Sequence, residues 1–589
     1  MEILSKLTGR RSADLDVRSR AKELVCKSDN IGSSQWYNKD LVPASLAQRK
    51  WKMHTYVFFW WASSFNQAEW SIGSSLVAVG LTFRQSMVSV FIGAILCAMA
   101  MVLTARPGAK LHIGYPTLLR ASFGMWGSKI FVTMRGAVAI IWFGIQTYFA
   151  STLFAVALRC IFGHKWTDIP NHLPASAGIN TQGLVAFFLV WLFQGPLILI
   201  HPSHIYWLWP LKGVLVPPAV VGFFIWAVTS AGADWGIFNT NITVEPAHGA
   251  ALGWAIVNGI NSVMGTLSPM ILNQPDIARY ARKPSDAGWP QGASMLIIKT
   301  SIFFFSISTA CATRVLYGEP FWNMWDQLNA VLDHNWNATA RTGCFAVAMS
   351  MCLGTVGTNL SANSIPFGAD MTGLIPKYLT IVRGQILVWI LGFAIVPWKF
   401  LTSAAKFITF LGSYTVLMGA VLGPLLADYY IVRRGNIHVP SLFDANPGSL
   451  YWFVGGFNWR AIAAWCAGTG LTISGIANGY NIGAVGAAAV NLYSLGWILS
   501  VSTSAVIYLA LSFIFPVPTT PASRPNTTKP FEYLANREGF YDEDLPWDVT
   551  ASGADPPTRV VSITTNDDGA SEDGDKNLKD GIHITTKEV

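Results

Sequence analysis

Trp142 and Gln146 stand four residues apart in the run Arg135-Gly136-Ala137-Val138-Ala139-Ile140-Ile141-Trp142-Phe143-Gly144-Ile145-Gln146-Thr147-Tyr148. In a helix that spacing places both side chains on one face. An indole offers a flat stacking surface, and a carboxamide beside it offers both a donor and an acceptor. The pair suits a planar, amide-bearing ring; on spacing alone, a Trp packed in a helix interface with the Gln bonding a neighbouring helix is the alternative. A second polar run, Gly354-Thr355-Val356-Gly357-Thr358-Asn359-Leu360-Ser361-Ala362-Asn363-Ser364, again sets two amides, Asn359 and Asn363, four apart. Buried polar groups in lipid must find partners, so this face turns inward. Asn363 then serves either the same ligand or another helix.

Charges inside apolar runs are costly and mark function by default. Glu69 lies in Ser63-Ser64-Phe65-Asn66-Gln67-Ala68-Glu69, and Lys212 opens Lys212-Gly213-Val214-Leu215-Val216-Pro217-Pro218. Either is a candidate for coupling to a proton or for taking the place of a bound cation; the alternative is a side chain that snorkels to water. Phe410, Tyr414 and Met418 form a bulky stripe at helical spacing, as a gate or as packing.

These residues need an element to hold them, and composition says which kind. Of the 589 residues 52% are hydrophobic and only 12% charged, against about 25% charged in soluble domains. The apolar residues fall into runs near 56–81, 85–104, 130–158, 181–200, 210–230, 252–272, 294–316, 342–365, 383–401, 405–430, 460–481 and 491–515. Each can cross a hydrocarbon core about 30 Å thick. The expected fold is an all-α membrane protein of about twelve transmembrane helices, with a transporter core over 56–515. Residues 1–55 are a polar, basic tail, and 516–589 are expected as a disordered acidic tail containing Asp542-Glu543-Asp544 and Asp567-Asp568.

Lys and Arg gather in the N-terminal tail and in every second loop, a pattern of membrane orientation that argues against nucleic acid. It puts both termini in the cytosol. The sequons at Asn241 and Asn337 fall in loops assigned outside. The first span is interrupted by Ser63–Glu69 and the sixth by Gly265-Thr266-Leu267-Ser268-Pro269. Paired interruptions in two halves point to a midplane site between inverted repeats, here five helices, five counterparts and two more. Asn66 and Leu267, one from each interruption, are assigned to that site. The seven cysteines show no metal or disulfide spacing. No phosphate-binding loop or nucleophile constellation is visible, so neither ATP-driven transport nor an enzyme is expected, and no cofactor.

The chain resembles the nucleobase-cation-symport-1 family, in its fungal branch of uracil, allantoin, uridine and thiamine permeases. The resemblance rests on Asn38-Lys39-Asp40-Leu41-Val42-Pro43, Trp142-Phe143-Gly144-Ile145-Gln146, Asn273-Gln274-Pro275-Asp276-Ile277-Ala278-Arg279-Tyr280, Thr358 to Ser364, and Asp428-Tyr429-Tyr430 with Arg433-Arg434-Gly435, in that order. It implies a LeuT-like fold with alternating access at the plasma membrane, Trp142 stacking on the solute, and Gln146 and Asn363 hydrogen-bonding it. Proton symport is implied for fungal members; sodium stays open through Thr358, although Gly357 stands where a second hydroxyl would be expected. Leu267 replaces an aromatic frequent in relatives, which keeps thiamine or nicotinamide riboside beside uracil and allantoin as cargo. A nutrient-sensing transceptor, with trafficking or ubiquitin machinery on the tails, is the rival of another class.

Overall fold

The computed structural model describes residues 36, 40–200, 208–239, 248–480, 483, 485–525, 529–541 and 544, with backbone alone at 562–563 and 584–585. The Asn241 sequon, the acidic pairs at 542–543 and 567–568, and most of the two tails lie outside these residues. The chain is helical over most of its described length. The first pass is split into α1 (Met53–Ser64) and α2 (Gln67–Ala78); α3 (Phe83–Leu111), α4 (Tyr115–Phe123) and α5 (Met125–Phe162) follow. Next come α6 (Thr181–Ile198), α7 (Leu208–Ser230), α8 (Gly249–Leu272) and α9 (Trp289–Tyr317). The last are α10 (Met324–His334), α11 (Ala338–Asn359), α12 (Ile365–Leu374), α13 (Ile381–Ala394), α14 (Ala404–Ala427), α15 (Trp459–Gly479) and α16 (Gly496–Ile514). Among the described residues, nine helices are long and apolar enough to cross a membrane. The split first pass, the shorter α13 and the Gly- and Thr-rich α15 bring the passes to the twelve expected.

The helices pack in two sets. α1, α2, α3, α8 and α9 form one group, and α5, α6, α11, α12 and α13 the other, with α7 touching both. α14, α15 and α16 pack together and lean on α8. Close crossings need bare backbone, because helices in lipid associate by packing and not by expelling water. Where α5 crosses α13, a Cβ on Gly144 would stand 2.7 Å from the carbonyl oxygen of Gly392.

The first pass breaks for a local reason. Asn66 leaves helical geometry at φ −151°, and its Oδ1 accepts from the backbone N–H of Ala68 at 2.9 Å and of Glu69 at 3.3 Å. This is an N-cap that opens α2 in mid-membrane. The sixth pass differs from the expectation. α8 runs unbroken from Gly249 to Leu272 with Pro269 inside it. Proline has no N–H to give the carbonyl four residues back, and the hydroxyl of Tyr414 on α14 donates to that carbonyl, Gly265, at 2.7 Å. Tyr414→Phe is expected to leave it unpaired and to cost about 1–3 kcal/mol, read as a lower Tm of the detergent-solubilised protein with the ring packing kept.

Both tail boundaries shift. Trp51 is paired to the loop after α8, donating to Tyr280 O at 3.0 Å and accepting from Arg282 N at 2.9 Å. Residues 529–541, assigned by composition to the disordered tail, lie folded on the transporter: the buried Glu532 holds Arg106 at the end of α3 at 2.5 Å and accepts from Tyr429 at 3.1 Å. Polar composition does not prevent order where such partners are supplied by distant helices.

Candidate functional site

Between the two helix sets lies a narrow cavity of about 40 Å³. Trp142, Gln146, Asn363, Asn66 and Leu267 all line it, as do Glu69 and Thr358. One indole and two carboxamides, from α5 and from the stretch that follows α11, thus line one hollow. The indole is packed among three rings of α14: Phe410, Tyr414 and Phe407, with centroids at 6.0, 6.4 and 6.5 Å. Phe410 and Tyr414 thus stand behind the stacking surface and do not line the cavity, and Met418 is a buried core residue of the same helix.

The two amides are fixed differently. Gln146 is buried, and its Oε1 has no protein partner. Asn363 donates to Asn359 Oδ1 at 2.9 Å, and Asn359 in turn donates to Phe143 O, Thr147 Oγ1 and Gln194 Oε1 at 3.0–3.1 Å. Asn359 is thus the bracket that orients Asn363, and its stretch is a π-turn, Leu360–Ser364, that presents Asn363 to the cavity. Such turns recur at functional sites because they re-aim a side chain. Asn66 reaches the cavity wall, but both ends of its amide are used at the helix break, Oδ1 as the cap and Nδ2 on Ser63 O at 2.8 Å. Its part is to shape the site.

The charges are paired inside the protein and do not snorkel. Lys299 on α9, in direct contact with Glu69 at 2.8 and 2.9 Å, is fully buried. Sequence reasoning missed Lys299, although a charge inside the apolar span 294–316 carried the same signal as Glu69. Lys212 is 1% exposed and stands beside the cavity, outside its lining. Its ammonium donates to Thr358 Oγ1 at 2.6 Å and Gly354 O at 3.1 Å, and the Thr358 hydroxyl donates to Ser63 O at 3.3 Å. The absent side chain at Gly357 is what admits it: a Cβ there would stand 2.9 Å from the lysine Cδ. The ammonium is thus bonded to one hydroxyl and one main-chain carbonyl of α11, and through that hydroxyl is linked to the carbonyl at the break of the first pass. Arg135, also overlooked as a charge, lines the cavity and pairs with the buried Asp370.

On the side of α10, Trp322 packs on Phe407 with centroids at 5.5 Å, and Trp325 on Phe149 at 5.4 Å. Asn323 accepts from Ser71 of α2 at 3.1 Å, and Gln327 from Trp70 at 3.1 Å. This short helix therefore ties α2 to the wall that holds Trp142.

Residues 42–500 match the family of permeases for cytosine/purines, uracil, thiamine and allantoin. The chain belongs to that family. It is 34% identical to an allantoin permease of Saccharomyces cerevisiae over 510 residues, covering 85% of this chain and 79% of that one. It is 32% identical to the uracil permease of the same yeast, covering 87% and 82%. Among solved structures, the nucleobase-cation-symport-1 transporter Mhp1, closed with bromovinylhydantoin bound, superposes with a TM-score of 0.65 at 18% identity, covering 83% of this chain and 99% of that one. The inward-facing form of Mhp1 gives 0.64. The fold is thus the LeuT-like one expected, and the chain is a multi-pass membrane transporter, not an enzyme.

Proposed function

We infer that this permease imports a small planar heterocycle of the uracil or allantoin kind across the plasma membrane, by proton symport with both termini in the cytosol. The observation that carries the reading is the shared cavity of Trp142, Gln146 and Asn363. The ring stacks on the indole while the free Gln146 Oε1 accepts a ring N–H and Asn363 contributes its amide oxygen or the donor it now gives Asn359. A solute bound there touches both helix sets, so its binding favours the closed state over either open one, which is the condition for a ligand to shift that equilibrium. Lys212 stands in for a coupling cation, and the Glu69–Lys299 pair is the site where an entering proton is accommodated. The cytosolic tails are left for trafficking and ubiquitin machinery.

The test is uptake of labelled uracil, allantoin, thiamine and nicotinamide riboside in a permease-deficient yeast, at two external pH values and with sodium replaced. Accumulation of a planar ureide or base that rises at the lower pH and ignores sodium is expected. Accumulation of thiamine or the riboside alone would move the substrate to those larger solutes, and sodium dependence would remove Lys212 from its assigned role.

A further inference from the structure

A separate cavity of about 450 Å³ lies at the C-terminal end of α5, and it shares no lining residue with the central one. Tyr148, Thr152, Ala155 and Arg159 line it from α5. At 3.6 residues per turn their face stands about a third of a turn from the face of Trp142 and Gln146. Phe149 lies between the two faces. It is fully buried and packs on Trp325 of α10 and Phe407 of α14, with centroids at 5.4 and 6.0 Å. An aromatic wall therefore parts the two cavities. The remaining walls are Trp166 just past α5, Asn180 and Gln182 at the start of α6, and Trp325, Asn329 and Asp333 at four-residue spacing on α10. With both termini in the cytosol, as proposed above, α5 runs outward, and the exposed Asn180 and Asp333 put the mouth on the outer face.

The lining selects the kind of ligand. Arg159 donates to Asn329 Oδ1 at 2.9 Å and to Asp333, so its charge is matched on the spot and a neutral ligand is favoured. Asn180 Oδ1 accepts from the backbone N–H of Gly183 at 2.7 Å. With their oxygens taken, Asn180 and Asn329 keep an amide N–H₂ to donate. Trp166 is buried, and its indole N–H has no protein acceptor. An acyl chain would leave these donors unmatched, which is costly; ring carbonyls would match them. The half-buried Tyr148 and Trp325 meet at 74° with centroids 6.3 Å apart, a corner of two flat surfaces. The volume also falls within the roughly 300–1,000 Å³ of small-molecule sites, whereas the central cavity must widen to admit a ring. Resting on the function proposed above, we propose that this cavity is an outer binding site that holds a neutral planar ureide or imide while the central site is shut. The ring lies in the Tyr148–Trp325 corner, and its carbonyls accept from the free donors. Trp325 belongs to the partition as well as to the site, so a shift of α10 is what joins the two cavities.

Uracil and allantoin are the probes. Gln182→Cys puts a thiol in the wall, to be labelled on intact cells with a membrane-impermeant maleimide against a parent that keeps Gln182. In a Trp142→Ala background, where the central site is crippled, either probe is still expected to slow that labelling several-fold. Ala155→Phe fills the outer cavity and leaves Trp142, Gln146 and Asn363 in place. It is expected to raise the half-saturating concentration for uptake about tenfold, the order of one lost ring stack, with maximal uptake kept. Absence of protection in the Trp142→Ala background, or labelling only in permeabilised cells, would overturn the outer site. An unchanged half-saturating concentration for Ala155→Phe present at the surface would overturn it equally; if that variant does not reach the surface, the labelling result alone decides. The underlying assignment fails separately: it falls if the wild type takes up neither probe, or if Trp142→Ala takes up both as the wild type does.

Discussion

Replacing Trp142 by alanine is expected to lower the uptake efficiency of a planar solute by about 5- to 150-fold, the equivalent of 1–3 kcal/mol for one base-to-aromatic stack. The effect should fall on binding because the indole is already held by its neighbours. Phe407, Phe410 and Tyr414 surround it at centroid distances of 6.0–6.5 Å, so the ring need not be ordered when the solute arrives, and the entropy of immobilising a side chain is not charged against affinity. Trp142→Phe keeps a smaller flat surface and should lose only a few-fold. Surface abundance, followed with a fluorescent fusion, separates this from misfolding: a core Trp→Ala costs about 3–5 kcal/mol where the ring is packing alone. If Trp142→Ala vanishes from the surface while Gln146→Ala and Asn363→Ala transport normally, the indole is a core residue and the site assignment fails. If all three reach the surface and lose uptake, the cavity is the place where cargo binds.

The same residues show what a sequence discloses and what it hides. Trp142 and Gln146 are visible because helical spacing is a local property, and one polar stripe in an apolar run must face something. Asn363 is visible for that reason too, but Asn359 is not distinguishable from it by spacing: only the fold shows that Asn359 is consumed by Phe143, Thr147 and Gln194. The sixth pass misleads because Gly265 to Pro269 has the composition of a break. The repair comes from Tyr414, 149 residues away in sequence, and no local rule sees it. Glu532 makes the same point at greater range, since its partner Arg106 is 426 residues distant. A stretch that is polar and Pro-rich reads as unstructured until the helix ends that satisfy it are placed beside it. Lys299 was in reach: the rule that singles out Glu69 applies to it unchanged, and its neighbours conceal it only by being so apolar.

Glu69→Gln alone is expected to be severe and the double variant Glu69→Gln, Lys299→Met to be mild. The pair is almost fully buried, with the ammonium 0% and the carboxylate 5% exposed. Removing one charge leaves the other in a low-dielectric interior, at a cost of about 3–5 kcal/mol, whereas replacing both by neutral groups of similar volume is often neutral or stabilising. The measurement is a double-mutant cycle on the Tm of the solubilised protein, in which the two single changes should be far from additive. Lys299→Met should be as damaging as Glu69→Gln, since it strands the carboxylate beside the cavity. Stability alone does not decide function, and the double variant does. With the fold restored and no titratable group left at this point, uptake is expected to persist at a reduced rate and to lose its dependence on external pH. Should the recovered double variant keep the full pH dependence, the pair would be a bracket between α2 and α9, and the proton would enter the cycle elsewhere. The carboxylate lines the cavity while its partner belongs to the same helix set: a bond within one set does not tie the two sets together, so changing its charge alters what the cavity offers a solute without removing a contact between them.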